Sequence, residues 1–197
     1  KNYSTRSQGL TLSSDRIIAM ASSTGNELYI AYSDNTFDVA DPVNLTRKNF
    51  KTLDNSRVTG FYHFNETEYI ALSEHELEII NPRQDARIRF SSRYPFIKKD
   101  LLLGNSLNCL LNDGPVLWLG TSAGLQKVRL DSAKHSAIEV LHYDNQSIDI
   151  GPVFDIEKDL NGKLWLATTR GLLYYDPQHG KFYMLTPYDK TLLNTEH

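Results

Sequence analysis

The chain has 197 residues, a formal net charge of −3 and a sequence pI of about 6.1, which excludes the basic footprint expected of a protein that binds nucleic acid or an anionic membrane surface. A single cysteine, Cys109, excludes a disulfide framework within the chain. The hydrophobic content of 40% suffices for a sizeable core, but no apolar run approaches the roughly 18 residues of a membrane span.

Short runs of β-branched and aromatic residues fill the chain, and Asn, Asp, Gly, Ser and Pro bound them. This pattern predicts an all-β protein, since no clean helical periodicity competes with it. Cys109 falls inside a predicted strand, so we expect a small buried residue rather than a reactive thiol.

The first 14 residues are polar and predict an edge strand of a preceding unit. A first repeat follows over 15–53, in which Tyr29-Ile-Ala-Tyr-Ser leads to Asp41-Pro42. A second, over 54–102, runs from Tyr69-Ile-Ala-Leu-Ser to Asn81-Pro82. Both lack the turn glycine of the later copies, with Thr36 and Glu76 in its place, so we expect turns one residue longer.

Charged residues concentrate in the second repeat. Three carboxylates alternate there: Glu74, Glu76 and Glu78. Alternation places them on one strand face; a cation site or a catalytic carboxylate site is one interpretation, and a solvated face is the one we favour. A basic stretch follows, which could pair with these glutamates across neighbouring strands or hold an anion: Arg83, Arg87, Arg89, Arg93, Lys98 and Lys99.

The third and fourth repeats cover 104–144 and 145–189, and Leu117–Leu125 matches Leu164–Leu172 without a gap. In the fourth, alternation predicts that Phe154 and Ile156 share one strand face. Asn161-Gly162 favours a two-residue hairpin turn, which we expect Asp159 to cap. The dense apolar run 164–168 predicts a strand buried on both faces.

Aromatic anchors mark the four repeats at intervals of 40, 49 and 47 residues: Tyr29, Tyr69, Trp118 and Trp165. This period lies in the range of β-propeller blades, each of four antiparallel strands. The fourth repeat reads hydrophobic-x-x-Ile-x-x-Asp-x-x-Gly-x-Leu-Trp-hydrophobic-x-Thr-x-x-Gly-Leu and ends near Asp176-Pro177. It resembles the two-component regulator propeller repeat.

The resemblance implies a fragment of a larger β-propeller, in the periplasmic sensor region of a bacterial hybrid histidine kinase or diguanylate cyclase receptor. Any kinase or cyclase would lie outside this chain, and the membrane would be reached only through other parts of the parent protein. We expect about four blades, as an open arc, a small ring or half of a dimeric ring, with self-association, and a lead-in to a next blade over 190–197.

We expect a ligand-sensing or interaction module rather than an enzyme, with no catalytic residue, metal or cofactor. Propellers gather their strand 2–3 loops and blade-to-blade loops at one face, which gives the candidate ligand contacts Asn35, Arg57, His75, Asn105, Asn145 and Arg170. The signal would be a small molecule or carbohydrate. Trp118 and Trp165 are expected to pack between blades. The alternatives are a protein-interaction scaffold and, less favoured, a propeller lyase or hydrolase.

Overall fold

The computed structural model describes residues 11–22, 27–44, 46–51, 58–65, 68–81, 86–91, 106–131, 136–143 and 150–185. These residues form β-strands and turns and contain no helix, so the predicted all-β class is confirmed. Accordingly, the described ranges hold no helical segment with the length and apolar character needed to cross a bilayer.

Each set of four consecutive strands forms one antiparallel sheet, paired in chain order. Sheet 1 contains β1 (Ile17–Ser22), β2 (Leu28–Tyr32), β3 (Thr36–Asp41) and β4 (Thr46–Lys51). Sheet 2 contains β5 (Val58–His63), β6 (Tyr69–Ser73), β7 (Glu76–Asn81) and β8 (Ala86–Ser91). Sheet 3 contains β9 (Leu107–Asp113), β10 (Val116–Thr121), β11 (Gly124–Asp131) and β12 (Ser136–Tyr143). Sheet 4 contains β13 (Val153–Lys158), β14 (Leu164–Thr168), β15 (Gly171–Asp176) and β16 (Lys181–Met184).

The sheets stack face to face in chain order, with one apolar core between each successive pair. Sheets 2 and 3 therefore bury both faces, since each is sandwiched between two neighbours. The first strands lie side by side, as β1 contacts β5, β5 contacts β9 and β9 contacts β13. Over the described ranges the stack is open, because sheet 4 does not close onto sheet 1.

A β-bulge recurs at the same place in every first strand. The pairing with the second strand skips one residue in each sheet, and the skipped residues are Ile18, Thr59, Asn108 and Phe154. A bulge rotates the strand and redirects the side chains around it. The prediction that Phe154 and Ile156 share a face is therefore wrong: Phe154 is exposed, while Ile156 is buried against sheet 3.

The bulges also define which residues are equivalent. Counted from them, Tyr29 matches Trp118 and Trp165, but in sheet 2 the matching residue is Ile70 rather than Tyr69. The predicted anchor Tyr69 is thus one residue out of register. Its ring faces sheet 1 instead, where it stacks on Tyr29 with a centroid distance of 3.4 Å.

The fourth repeat departs from its predicted hairpin. Asp159 pairs with Lys163 through the backbone, so the turn has three residues and ends on Gly162 at φ +80°. This is the type I turn with a glycine bulge rather than the primed two-residue turn. The predicted cap is confirmed, because the Asp159 carboxylate accepts hydrogen bonds from the backbone N–H groups of Asn161 and Lys163.

Strand β14 is buried on one face only. Leu164 and Leu166 pack into the core with sheet 3, whereas Ala167 is exposed. The prediction of two buried faces is wrong, because in the described ranges sheet 4 has a neighbouring sheet on one side alone.

The glutamates of the second repeat do not form a solvated face. Glu74 is exposed in the turn before β7, whereas Glu76 and Glu78 are buried in that strand. The turn between the second and third strands is longer in sheet 1, as expected. In sheet 2 this turn has the same length as in sheet 3, so the expectation of a longer turn there is wrong. Glu78 lies directly opposite Arg89 in the register of β7 and β8. Of the basic stretch, Arg83, Arg93, Lys98 and Lys99 lie outside the described residues.

Cys109 is buried in the core between sheets 3 and 4, as predicted. A Cβ on Gly120 of the paired strand would lie 2.3 Å from the Cys109 Sγ, so only glycine fits beside the thiol. Burial, aided by the Asp155 carboxylate, raises the pKa of the Cys109 thiol to about 12.

We expect a disulfide-exchange reagent to label native Cys109 about 100-fold or more slowly than the chain unfolded in urea, because a buried thiol reacts only through opening of the structure. The rate is measured by absorbance at pH 8. The chain has one cysteine, so no other thiol interferes. Equal rates in the native and unfolded protein would contradict the buried placement.

Asp38 is the centre of a polar cluster on the face of sheet 1 away from sheet 2. Its buried carboxylate accepts hydrogen bonds from the Ser13 backbone N–H and hydroxyl, the Tyr32 hydroxyl and the Asn49 amide. Arg47 Nη1 lies 3.5 Å from it. Burial opposes ionisation, but the hydrogen bonds outweigh it and hold the pKa of Asp38 below its usual value. Asp38 thereby fastens the segment before β1 onto sheet 1.

Replacing this carboxylate by an amide, Asp38→Asn, should lower the free energy of unfolding by about 2 kcal/mol at pH 7, because an amide nitrogen cannot accept these bonds. The folded-state pKa is depressed, so the contribution is present above about pH 4 and is lost as the pH falls through the folded-state value. Urea unfolding at several pH values should show the difference shrinking below pH 4. Asp113→Asn is the control, since its exposed ion pair with Lys158 contributes less than about 1 kcal/mol.

Candidate functional site

One end of the stack collects the turns between second and third strands, which we call the turn end. In each sheet this turn is bonded through the backbone to the first residue of a first strand or to the residue just before that strand: Ser33 N–H to Arg16 O, Leu107 N–H to Glu74 O, Ser122 N–H to Ser106 O, and Thr169 N–H to Pro152 O. The Leu107–Glu74 bond links sheet 3 to sheet 2. The turns between second and third strands therefore lie at the same end of the stack as the starts of the first strands.

In three of these turns a side-chain hydroxyl forms two hydrogen bonds to the backbone of the turn. The Oγ1 of Thr121 and of Thr168 donates to the carbonyl three residues on and accepts from the N–H two residues on. Ser73 donates to the Glu76 carbonyl and accepts from its N–H. The side chain thus replaces the ladder bonds lost at the turn. In sheet 1, where the turn is longer, Asn35 takes the left-handed conformation at φ +63°.

Three of the six predicted contacts lie at the turn end. Asn35 lies in the turn of sheet 1 and His75 in that of sheet 2, with its Nε2 3.9 Å from a Glu74 carboxylate oxygen. Arg170 is exposed in the turn of sheet 4. Sheet 3 lies between the turns that carry His75 and Arg170. The other three predicted contacts lie outside the described residues: Arg57, Asn105 and Asn145.

Sequence reasoning missed a polar network in sheet 3 at this end. The Ser106 hydroxyl donates to Asn108 Oδ1 at 2.8 Å, and the Ser106 N–H donates to the Ser122 hydroxyl at 3.3 Å. Asn108 is the bulged residue of β9, and its Nδ2 donates to the Val153 carbonyl of sheet 4 at 2.8 Å. The available signal was an asparagine inside the otherwise apolar run 107–111.

The turn end is rich in polar groups. It offers a guanidinium, an imidazole, hydroxyls and amides, which donate and accept hydrogen bonds to polar ligands. Across the described ranges no three His, Cys, Asp or Glu side chains come together in a way that would hold a metal ion.

The crossover into sheet 4 passes close to this surface. Gly151, at φ +65°, lies against the turn of sheet 4, and a Cβ there would be 2.4 Å from Thr169 Oγ1. The glycine is therefore required both by its backbone conformation and by the narrow space beside Thr169.

No family model and no curated protein matches the chain. Solved structures do match. The extracellular domain assigned to a hybrid two-component system of B. thetaiotaomicron matches 91% of this chain at a TM-score of 0.67 and 17% identity, and the chain covers 23% of it. The extracellular domain assigned to a one-component system of the same organism matches 88% of this chain at a TM-score of 0.65 and 17% identity. This chain covers 24% of that domain. The chain spans about a quarter of these structures, and shares their fold.

Gly114 and Gly151 have the same φ, so replacing each by alanine distinguishes the cost of backbone strain from the cost of steric crowding. Gly151→Ala should destabilise the chain by more than Gly114→Ala, because both lie at φ +65° but a Cβ on Gly114 meets nothing within 4 Å. We expect about 1 kcal/mol for Gly114 from the left-handed conformation and about 1–3 kcal/mol more for Gly151 from overpacking. Urea unfolding measures both, and equal losses would contradict the close approach to Thr169.

Proposed function

We propose that this chain is a run of four β-propeller blades from the extracytoplasmic, periplasmic sensing region of a bacterial signalling receptor. Each described sheet has the four-stranded meander of a blade, and the first strands adjoin as they do around a propeller axis. The observation that carries the proposal is the match of this whole stack to extracellular domains assigned to signalling systems.

The signal, a small molecule or a carbohydrate, binds at the turn end. Asn35, His75 and Arg170 supply contacts from three sheets, Ser122 adds a hydroxyl between two of them, and Arg57, Asn105 and Asn145 remain candidates. A ligand that bridges neighbouring sheets favours the packing in which its contacts are better made. That shift in packing is passed to the rest of the receptor, where the output activity resides.

The test is thermal unfolding of the chain with a panel of mono- and oligosaccharides, amino acids and organic acids. A ligand at 100 times its dissociation constant adds about 2.7 kcal/mol, which for a chain of this length raises Tm by about 5–10 °C. Arg170→Ala should remove most of the shift. Lys181→Ala is the matched control, because this exposed cation starts β16 at the other end of sheet 4.

Two results would contradict the proposal. A shift that persists in Arg170→Ala would place binding away from the turn end. A panel without any shift would count against ligand sensing by this stretch and favour an interaction scaffold.

A further inference from the structure

Sheet 4 carries a pair of tyrosines on its last two strands. Tyr174 of β15 lies directly opposite Tyr183 of β16 in the strand register. Their rings stack with a centroid distance of 4.7 Å and an angle of 16° between the ring planes. Side chains of directly opposed residues leave the sheet side by side, so the two phenols lie alongside each other. A stack this close faces the carbons beside one hydroxyl group towards the neighbouring ring.

Neighbouring side chains hold the Tyr174 ring in this position. Trp165 of β14 lies opposite Tyr174 on its other side, with a centroid distance of 5.5 Å, so Tyr174 lies between Trp165 and Tyr183. Lys163 Nζ lies 4.7 Å from the centroid of the Tyr174 ring. The two phenols are therefore preorganised, and a reaction that joins them needs little movement of either ring.

Solvent reaches this pair, in contrast to a second tyrosine stack in the molecule. Tyr183 is 40% exposed and Tyr174 is partly exposed. Tyr29 and Tyr69 stack with a centroid distance of 3.4 Å, but they are only 2% and 0% exposed. A reagent that must approach the phenol therefore reaches the pair on sheet 4 and not the buried pair. The chain thus contains an internal control for proximity without access.

We propose that Tyr174 and Tyr183 are a site of oxidative modification, at which a haem peroxidase with hydrogen peroxide joins the two rings as dityrosine. The reagent class is a one-electron oxidant that acts on exposed phenols. The proposal rests on the geometry and exposure of the pair and does not depend on a sensing role.

The reaction balances with peroxide as the final oxidant. Each phenol gives one electron to the peroxidase and its hydroxyl proton to water. The two phenoxyl radicals form one bond between ring carbons that adjoin the hydroxyl groups. The hydrogens on those carbons then move to the two oxygens, which restores both aromatic rings. Hydrogen peroxide takes up the two electrons and two protons and becomes two molecules of water.

The cross-link fastens a short edge strand. Strand β16 is at the edge of sheet 4 in the described ranges and contains four residues. A short strand that pairs on one side only opens at a low free-energy cost. A covalent bond between Tyr174 and Tyr183 closes the hairpin around the turn 177–180 and limits the separation of β16 from β15. The modification therefore stabilises sheet 4 where its strand pairing is shortest.

The test is treatment of the folded chain with a haem peroxidase and hydrogen peroxide, followed by tryptic digestion and tandem mass spectrometry. Trypsin cleaves after lysine and arginine, so the two tyrosines fall in the separate peptides 171–181 and 182–190. We expect these peptides to be joined, with the loss of two hydrogen atoms, as the main dityrosine product. Oxidation of Met184 in the second peptide adds an oxygen atom instead, so it is not mistaken for the link.

Tyr174→Phe and Tyr183→Phe should each abolish this product, because phenylalanine has no phenol to oxidise. Tyr175→Phe and Tyr188→Phe are matched controls in the same two peptides, and both should retain the product. Tyr175 is buried in the core on the other face of β15, and Tyr188 lies outside the described residues. Dilution of the protein should leave the yield per chain unchanged, since the link forms within one molecule. Circular dichroism verifies that each variant is folded.

The proposal is overturned if the folded chain yields no dityrosine, or if the product persists in folded Tyr174→Phe or Tyr183→Phe. It is also overturned if the main product joins Tyr29 to Tyr69 or joins two chains, because the exposed pair would then not select the site. In the linked protein, amide hydrogen exchange of residues 181–184 should slow. Unchanged exchange there would overturn the fastening of β16.

Discussion

The stack depends on the strict alternation of side chains along the second strand of each sheet. In β6, Tyr69 packs towards sheet 1 and the next residue, Ile70, packs towards sheet 3. Strand β10 does the same with Leu117 and Trp118. A slip of one residue would exchange the two interfaces, so the register must be fixed independently of them. The bulge in each first strand fixes the register, and in sheets 2, 3 and 4 the hydroxyl-bonded turn between the second and third strands does so as well.

Features set by local chemistry were predictable from the sequence. The all-β class, the Asp159 cap and the burial of Cys109 follow from residues and their immediate neighbours. The errors at Tyr69, Phe154 and Glu76 have a different origin, because bulges and flanking sheets decide which way these side chains face. Alternation alone cannot reveal either, since a bulge leaves no residue signature that the four repeats share: the skipped residue is isoleucine, threonine, asparagine or phenylalanine.

The candidate site likewise has features that the sequence predicts and features that depend on tertiary contacts. Its turns could be located from Ser, Thr, Asn and Gly, because these residues satisfy turn backbones with their own hydroxyls or positive φ. The contribution of Asn108 could not, since its amide reaches the Val153 carbonyl only after sheets 3 and 4 have stacked. The turn end is therefore polar through its local loops, and the Asn108–Val153 hydrogen bond links sheets 3 and 4 there.

Leu185 of sheet 4 is the equivalent of Tyr143 of sheet 3, because Leu185 N–H bonds to Leu172 O and Tyr143 pairs with Leu125, the residue that corresponds to Leu172. This equivalence has a consequence for how such a chain changes over evolutionary time. Because the end of one sheet is in phase with the end of the sheet before it, a coding segment can be duplicated or deleted at this boundary without disturbing any strand pairing. Each unit brings its own turns and its own bulge. Length in this architecture is therefore inherited in whole sheets, and a lineage can gain or lose a unit in a single genetic event.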